Sequence, residues 1–209
     1  MHDHGHGHQH AHGHHKFDPA NLARLDAPGR RAQFPLVVYV AALQPIPGLR
    51  LCDLGCGTGY FTFPVLDALD GEGTFYAVDT SPEMLAALRE RLRAHPHGAR
   101  VTVVQSGESA VPLPDACADV VVMGALFHEL ADRAAFLAEV RRLIVPGGRV
   151  LVAEGDRRPG QEGEPEHGPP YAHRVPREET EAALRAAGFT AVTAHDGFRD
   201  AYLLSARRA

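Results

Sequence analysis

Between residues 49 and 155 short apolar runs alternate with stretches whose apolar positions recur every three to four residues. That alternation predicts strands and helices in turn. The apolar run at 49–54 reads as a first strand, followed by strands at 74–78, 101–105, 119–124 and 150–154. The fourth, Asp-Val-Val-Val-Met-Gly, is continuous in the way that strands buried on both faces are. Helical spacing fills the intervals near 60–69, 82–94 and 132–143, and a further helix at 176–187 stops at Gly188. Two strands, 191–194 and 201–206, close the chain. Strand–helix alternation of this kind predicts an α/β fold with a doubly wound sheet.

Ahead of this block, residues 16–48 read as a helical extension. Asp18-Pro19 supplies an N-cap and a first-turn proline. Leu22 and Leu25 make a partial apolar stripe, broken at Pro28-Gly29. A second helix is expected from 30 to 43, carrying Phe34, Val37, Val38, Val40, Ala41 and Leu43. Residues 155–176 are rich in Gly, Pro and charge and too long for a plain connector, so they read as a substrate loop. Residues 1–15 are a low-complexity segment with His2, His4, His6, His8, His10, His12, His14 and His15, expected to be disordered. Imidazoles at that density bind Ni²⁺, Cu²⁺ or Zn²⁺, which makes them candidate metal ligands.

Composition narrows the picture. The 209 residues suit one domain of ordinary size, here read as segment 49–209 after the tail and the helical extension. A net charge of −5 argues against a nucleic-acid partner. No apolar run is long enough to span a bilayer, and no signal-peptide core is visible, so neither membrane nor export is expected. Three cysteines, an odd number, argue against a disulfide framework, and the cytoplasm is the expected location.

The candidate chemistry centres on Asp53-Leu54-Gly55-Cys56-Gly57-Thr58-Gly59. Glycines at this point bring bare backbone close to a ligand. The spacing is G-x-G-x-G, not the G-x-G-x-x-G of dinucleotide binders. Asp53 would repel a phosphate and suits a cation, an amine or a sulfonium. Asp79 ends the second strand twenty residues past Gly59, close to the spacing at which an acid receives a ribose diol. Its carboxylate offers two charge-assisted hydrogen bonds.

The loop with Asp53 resembles motif I of the class I S-adenosylmethionine (SAM) methyltransferases, and Val78-Asp-Thr-Ser-Pro-Glu-Met-Leu85 resembles motif II. The stretches "ALFHEL" and "AEVRRLIVPGGRVLVAE" are similar to the later motifs of small-molecule members, including the ubiquinone/menaquinone C-methyltransferase relatives. The resemblance covers 49–155 by motif and 156–209 by pattern. It implies a Rossmann-like sheet of seven mostly parallel strands with a terminal antiparallel hairpin and helices on both faces. It also implies SAM as cofactor and a small-molecule methyl acceptor. Asp53, Gly55, Cys56, Gly57 and Gly59 then face the methionine end, and Asp79 and Thr80 the ribose. Gly107, Glu108 and Ser109, flanked by Met84 and Leu126, take the adenine; members often carry Asp-Ala here, which this chain lacks.

His128 is the candidate base, needed only if the acceptor must lose a proton. Tyr39, Glu154, Tyr171, His173 and Arg174 are candidate acceptor contacts, with Phe17 and Phe34 as lid aromatics. Gly168-Pro169-Pro170-Tyr171 is like the Asn/Asp-Pro-Pro-Tyr signature of amino-directed enzymes only superficially, since Gly168 offers no amide or acid. Arsenite methyltransferases need several cysteines, and with Cys52 and Cys56 on motif I only Cys117 is left. Two other readings stay open: a non-catalytic SAM binder with a metal-capturing tail, and a nicotinamide-dependent oxidoreductase, which the glycine spacing disfavours. The oligomeric state is not legible.

Overall fold

The computed structural model describes residues 28–209, apart from 159, 162, 164, 166 and 167. Its frame is one seven-stranded sheet. The strands are β1 (Arg50–Leu54), β2 (Thr74–Asp79), β3 (Val101–Gln105), β4 (Ala118–Gly124), β5 (Ile144–Gly155), β6 (Phe189–His195) and β7 (Ala201–Arg208), in the spatial order β3-β2-β1-β4-β5-β7-β6. Strands β1 to β5 run parallel, while β7 is antiparallel to both β5 and β6. The expected mostly parallel sheet with a terminal hairpin is what is found.

Parallel neighbours need crossover elements, and the helices supply them. Helices α1 (Pro28–Gln33) and α2 (Leu36–Leu43) precede the sheet. Then α3 (Thr62–Ala68), α4 (Pro82–Ala94), α5 (Arg133–Leu143) and α6 (Arg177–Ala186) alternate with strands. Two begin at side-chain caps: Ser81 Oγ accepts from Met84 N at 3.2 Å, and Asp132 Oδ1 from Ala135 N at 2.9 Å. The chain steps outward from β1 to β3, then returns to β4 on the other side of β1. That reversal opens a crevice beyond the carboxyl ends of β1 and β4, where open α/β sheets hold ligands.

Two apolar layers sandwich the sheet. Because side chains alternate along a strand, Leu51, Val120, Val122, Leu151 and Leu203 join the layer with Phe34 and α2 to α4. Cys52, Leu54, Val121, Met123, Val152 and Leu204 join the layer with α5 and α6. Asp53 shares a face with Leu51, so its position in the first layer follows from the pleat.

Three boundaries differ from the pattern. The single helix expected at 30–43 is two, because Pro35 donates no N–H and holds the residue before it out of the helical region. The strand expected at 150–154 already begins at Ile144: Ala118 pairs with Ile144 and Val120 with Arg149, so Val145-Pro146-Gly147-Gly148 form an irregularity inside β5. The expected strand 191–194 spans Phe189–His195 and carries an irregularity around Ala191, whose φ is +49°. Residues 1–27, with the tail expected to be disordered, the candidate metal-ligand histidines, Phe17 and the expected helix start at Asp18-Pro19, lie outside the described residues.

Candidate active site

A cavity of about 1000 Å³ opens at the crevice beyond β1 and β4. Its floor is the loop after β1, one wall is the ends of β2 and β3, and the opposite wall is the turn after β4. Arg30, Gln33 and Phe34 from the N-terminal segment also line it, as do Pro165, Gly168, Pro169 and Pro170. That size suits a ligand of nucleoside dimensions with room beside it.

The glycine loop is held against β2. Cys56 N donates to Val78 O at 3.0 Å, and Gly57 N to Asp79 Oδ2 at 2.9 Å. The second oxygen of Asp79 accepts from Ser81 N at 2.9 Å, so one carboxylate joins the ends of both loops. Gly55 has φ +67°, and a Cβ there would lie 2.9 Å from the Leu126 side chain. The positive φ is what demands glycine. Gly59 (φ +92°) instead packs against Phe63 and Leu88, where a Cβ would stand 2.6 and 2.8 Å from ring and methyl carbons. Thr58 Oγ1 is buried in the cavity wall without a hydrogen-bond partner, an acceptor and donor ready for a ligand.

Asp53 lies behind this loop, 1% exposed, and accepts the Thr62 hydroxyl at 2.6 Å on Oδ2. Burial pushes its carboxyl up to about 7, against the Thr62 hydrogen bond and the Arg30 charge, with the Asp79 carboxylate adding to the rise. Tyr39 packs on Phe61 at a ring distance of 4.7 Å; its hydroxyl is buried without a partner and its pKa is raised by burial and by Asp53.

Across the cavity the chain turns sharply after β4. Ala125 adopts φ +54°, rare for a residue with a side chain, and donates its N–H to Ala153 O at 2.7 Å. The turn presents the short helical segment Phe127–Glu129 to the end of β5. There Glu154, 1% exposed, accepts Phe127 N at 2.5 Å and His128 N at 3.3 Å on Oε1. Its Oε2 lies 2.9 Å from His128 Nδ1. Burial alone would lower the imidazole, but the charge and hydrogen bond of Glu154, with Glu129 adding its charge, hold it above its ordinary value. With Nδ1 donating to the carboxylate, Nε2 is left as the proton acceptor, and His128 lines the cavity.

The methyltransferase domain family described as "Methyltransferase domain" matches residues 52–152, the span from β1 to β5 that builds this cavity. The structure of a SAM-dependent methyltransferase from Aquifex aeolicus superposes with a TM-score of 0.80 at 27% identity, over 93% of this chain and all of that one. Over these spans the chain is similar to SAM-dependent methyltransferases. A demethylmenaquinone methyltransferase from Symbiobacterium thermophilum is 31% identical over 119 residues, 57% of this chain and 47% of that protein. A ubiquinone/menaquinone biosynthesis C-methyltransferase from Shewanella halifaxensis is 32% identical over 108 residues, 52% of this chain and 43% of that protein. The chain thus spans less than half the length of the curated relatives it matches.

The cavity wall gathers Gly55, Cys56, Gly57, Asp79, Thr80, Met84, Gly107, Glu108, Ser109 and Leu126, together with His128 and Glu154. Six residues named from sequence stand elsewhere. Asp53 and Gly59 lie under the loop, since the pleat turns the first inward and Phe63 and Leu88 enclose the second. Tyr39 is in the core, because α2 packs that face on Phe61. Tyr171, His173 and Arg174 sit behind the proline-lined loop and do not line the cavity; Arg174 is 4% exposed and bound to backbone carbonyls.

The cavity is also lined by residues that the pattern did not single out. Arg30 and Gln33 are polar positions of a short helix, with no sequence signal. Arg30 stacks over the Tyr60 ring at 4.7 Å. The pairing of His128 with Glu154 spans 26 residues, yet it follows from topology: β4 and β5 are parallel neighbours whose ends meet at Gly124 and Ala153. Among the described residues no three His, Cys, Asp or Glu side chains are placed to hold a metal ion, and no helix is long and apolar enough to cross a membrane.

Proposed function

We propose that this protein transfers a methyl group from SAM to a small-molecule acceptor, with His128 as base for the acceptor proton. The observation that carries the reading is Asp79, fixed through one lone pair on each oxygen by Gly57 N and Ser81 N at the cavity mouth. A second lone pair on each oxygen is left for the two ribose hydroxyls, and such bonds are the strong, charge-assisted kind. The unpartnered Thr58 hydroxyl and the bare backbone at Gly55, Cys56 and Gly57 fit the methionine end. Asp53 acts on its ammonium through the loop, by charge. Thr80 flanks the ribose, while Met84, Leu126 and the segment Gly107, Glu108 and Ser109 fit the adenine.

The sulfonium supplies an activated methyl whose leaving group needs no proton. The chain's own work is therefore alignment, exclusion of water, and removal of one proton. Phe34, Pro169 and Pro170 contribute apolar surface to the cavity wall. His128 Nε2 takes the acceptor proton, and Glu154 steadies the resulting imidazolium. Three free thiols support a reducing compartment, the cytoplasm, as the place of action. His2, His4, His6, His8, His10, His12, His14 and His15 are carried as a separate proposal, a binding segment for Ni²⁺, Cu²⁺ or Zn²⁺ that the transfer does not need.

Incubation with methyl-labelled SAM and a panel of phenols, carbon acids and amines tests the reading. Label is expected to move to at least one small molecule. Tight SAM binding with no labelled product from any class would favour a non-catalytic binder. Binding of NADPH without SAM would favour the oxidoreductase.

A further inference from the structure

Arg174 is buried at 4% exposure, yet it does not reach the cavity. Its guanidinium reaches three backbone carbonyls. Nε donates to Pro169 O at 3.1 Å, and Nη1 to Asp200 O at 3.1 Å and Asp156 O at 3.4 Å. Its charge also lies 4.7 Å from the Tyr171 ring centre. One side chain thus ties the proline-lined loop to the end of β5 and to the start of β7. The carbonyl of Asp200, which also accepts Asp156 N at 3.0 Å, has a third donor in Gln33 Nε2 at 3.2 Å, from the last residue of α1. Gln33 is itself 7% exposed. Gly168 fits between the two, since a Cβ there would lie 3.3 Å from Arg174 Nη2 and 3.3 Å from Gln33 Oε1.

The two wall segments, α1 with Phe34 and the loop with Pro169 and Pro170, are therefore fastened at one carbonyl. We propose that Arg174 is a positioning residue: with Gln33 it latches both segments to Asp200 and so shapes the acceptor side of the cavity, leaving the cofactor side to the β1 and β2 loops. This rests on the methyltransferase reading for the naming of the two sides, but the latch itself does not. Burial supports it, because a guanidinium withdrawn from water is retained only where its donors are satisfied. Planar geometry supports it too: an ammonium has no fork to span three carbonyls on separate segments.

Amide hydrogen exchange on the full chain, with and without S-adenosylhomocysteine, tests the latch. Arg174→Met and Gln33→Leu are each expected to speed exchange at least tenfold in both 29–34 and 168–174, while β1, β4 and β5 keep wild-type protection. The double variant should exchange no faster than the faster single one, since both act at one carbonyl. Arg174→Lys should restore part of the protection, by reaching one carbonyl but not three. Affinity for S-adenosylhomocysteine should change less than threefold in every variant. Exchange that rises only in the segment carrying each substitution would overturn the coupling. Exchange that rises equally in the sheet would make Arg174 a general stability residue. If the wild type fails to bind S-adenosylhomocysteine, the methyltransferase reading fails while the exchange pattern still decides the latch.

Discussion

Glu154→Gln should lower the rate of methyl transfer by roughly 10²–10⁴-fold, the range for losing a positioned acid or base. The substitution is close to isosteric, so Phe127 N and His128 N keep an acceptor. What changes is the imidazole. The amide donates to Nδ1, which forces the proton onto Nε2, and Nε2 becomes a donor in place of a base. The pH profile carries a second signature. Glu154 and Glu129 hold His128 above its ordinary value, so wild-type activity should climb as pH passes through and beyond the usual histidine range. In Glu154→Gln the rise that remains should fall to lower pH. Initial rates with the acceptor found in the labelled panel, measured between about pH 5 and 9, check both statements. Unchanged rate and profile would leave the pair a piece of wall and no more.

Asp53→Asn should make the cofactor-free protein more stable and its hold on SAM weaker. The carboxyl is fully enclosed and its pKa is raised from 3.8 to about 7. A group whose folded pKa is raised favours the fold while protonated, and that advantage is lost as pH rises toward the folded value. The burial cost of the charge is therefore absent near pH 4, grows above it, and is complete above about 7. At ~1.4 kcal/mol per unit, the amide should gain up to about 4 kcal/mol at pH 8 and almost nothing at pH 4. The price is function: with the charge behind the glycine loop gone, SAM affinity should drop about tenfold, on the order of 1 kcal/mol. Denaturant unfolding at the two pH values, beside SAM titration at pH 8, reads both effects. Equal stabilisation at both pH values would show that the charge is not its source. Such opposition between stability and use is what a buried charge kept for a ligand produces.

The sheet was legible because its strands are short apolar runs at regular intervals, and their alternation assigns faces: Leu51 and Asp53 to one layer, Cys52 and Leu54 to the other. The glycine loop and Asp79 were legible because each has a local reason, a backbone approach and a strand-end carboxylate. Tyr39 was not, because an aromatic on a wholly apolar helix gives no clue to which face is covered; Phe61 decided it. The place of Arg174 off the cavity wall was not legible for a related reason. A charged residue in a loop rich in Gly and Pro suggests a ligand contact, and only the fold shows three carbonyls converging on it. Glu154 and His128 were each visible alone. Their partnership depends on β4 and β5 being neighbours, which sequence order alone does not state.

The central claim is that the carboxylate at the end of β2 grips the ribose of SAM. Calorimetric titration of SAM and S-adenosylhomocysteine into the wild type and into Asp79→Ala tests it most directly. The account predicts saturable heat from both ligands in the wild type and at least tenfold weaker binding in the variant, from the loss of hydrogen bonds to a charged group at ~1.5–3 kcal/mol each. No heat from either ligand in the wild type, or equal affinities in the two proteins, would contradict it.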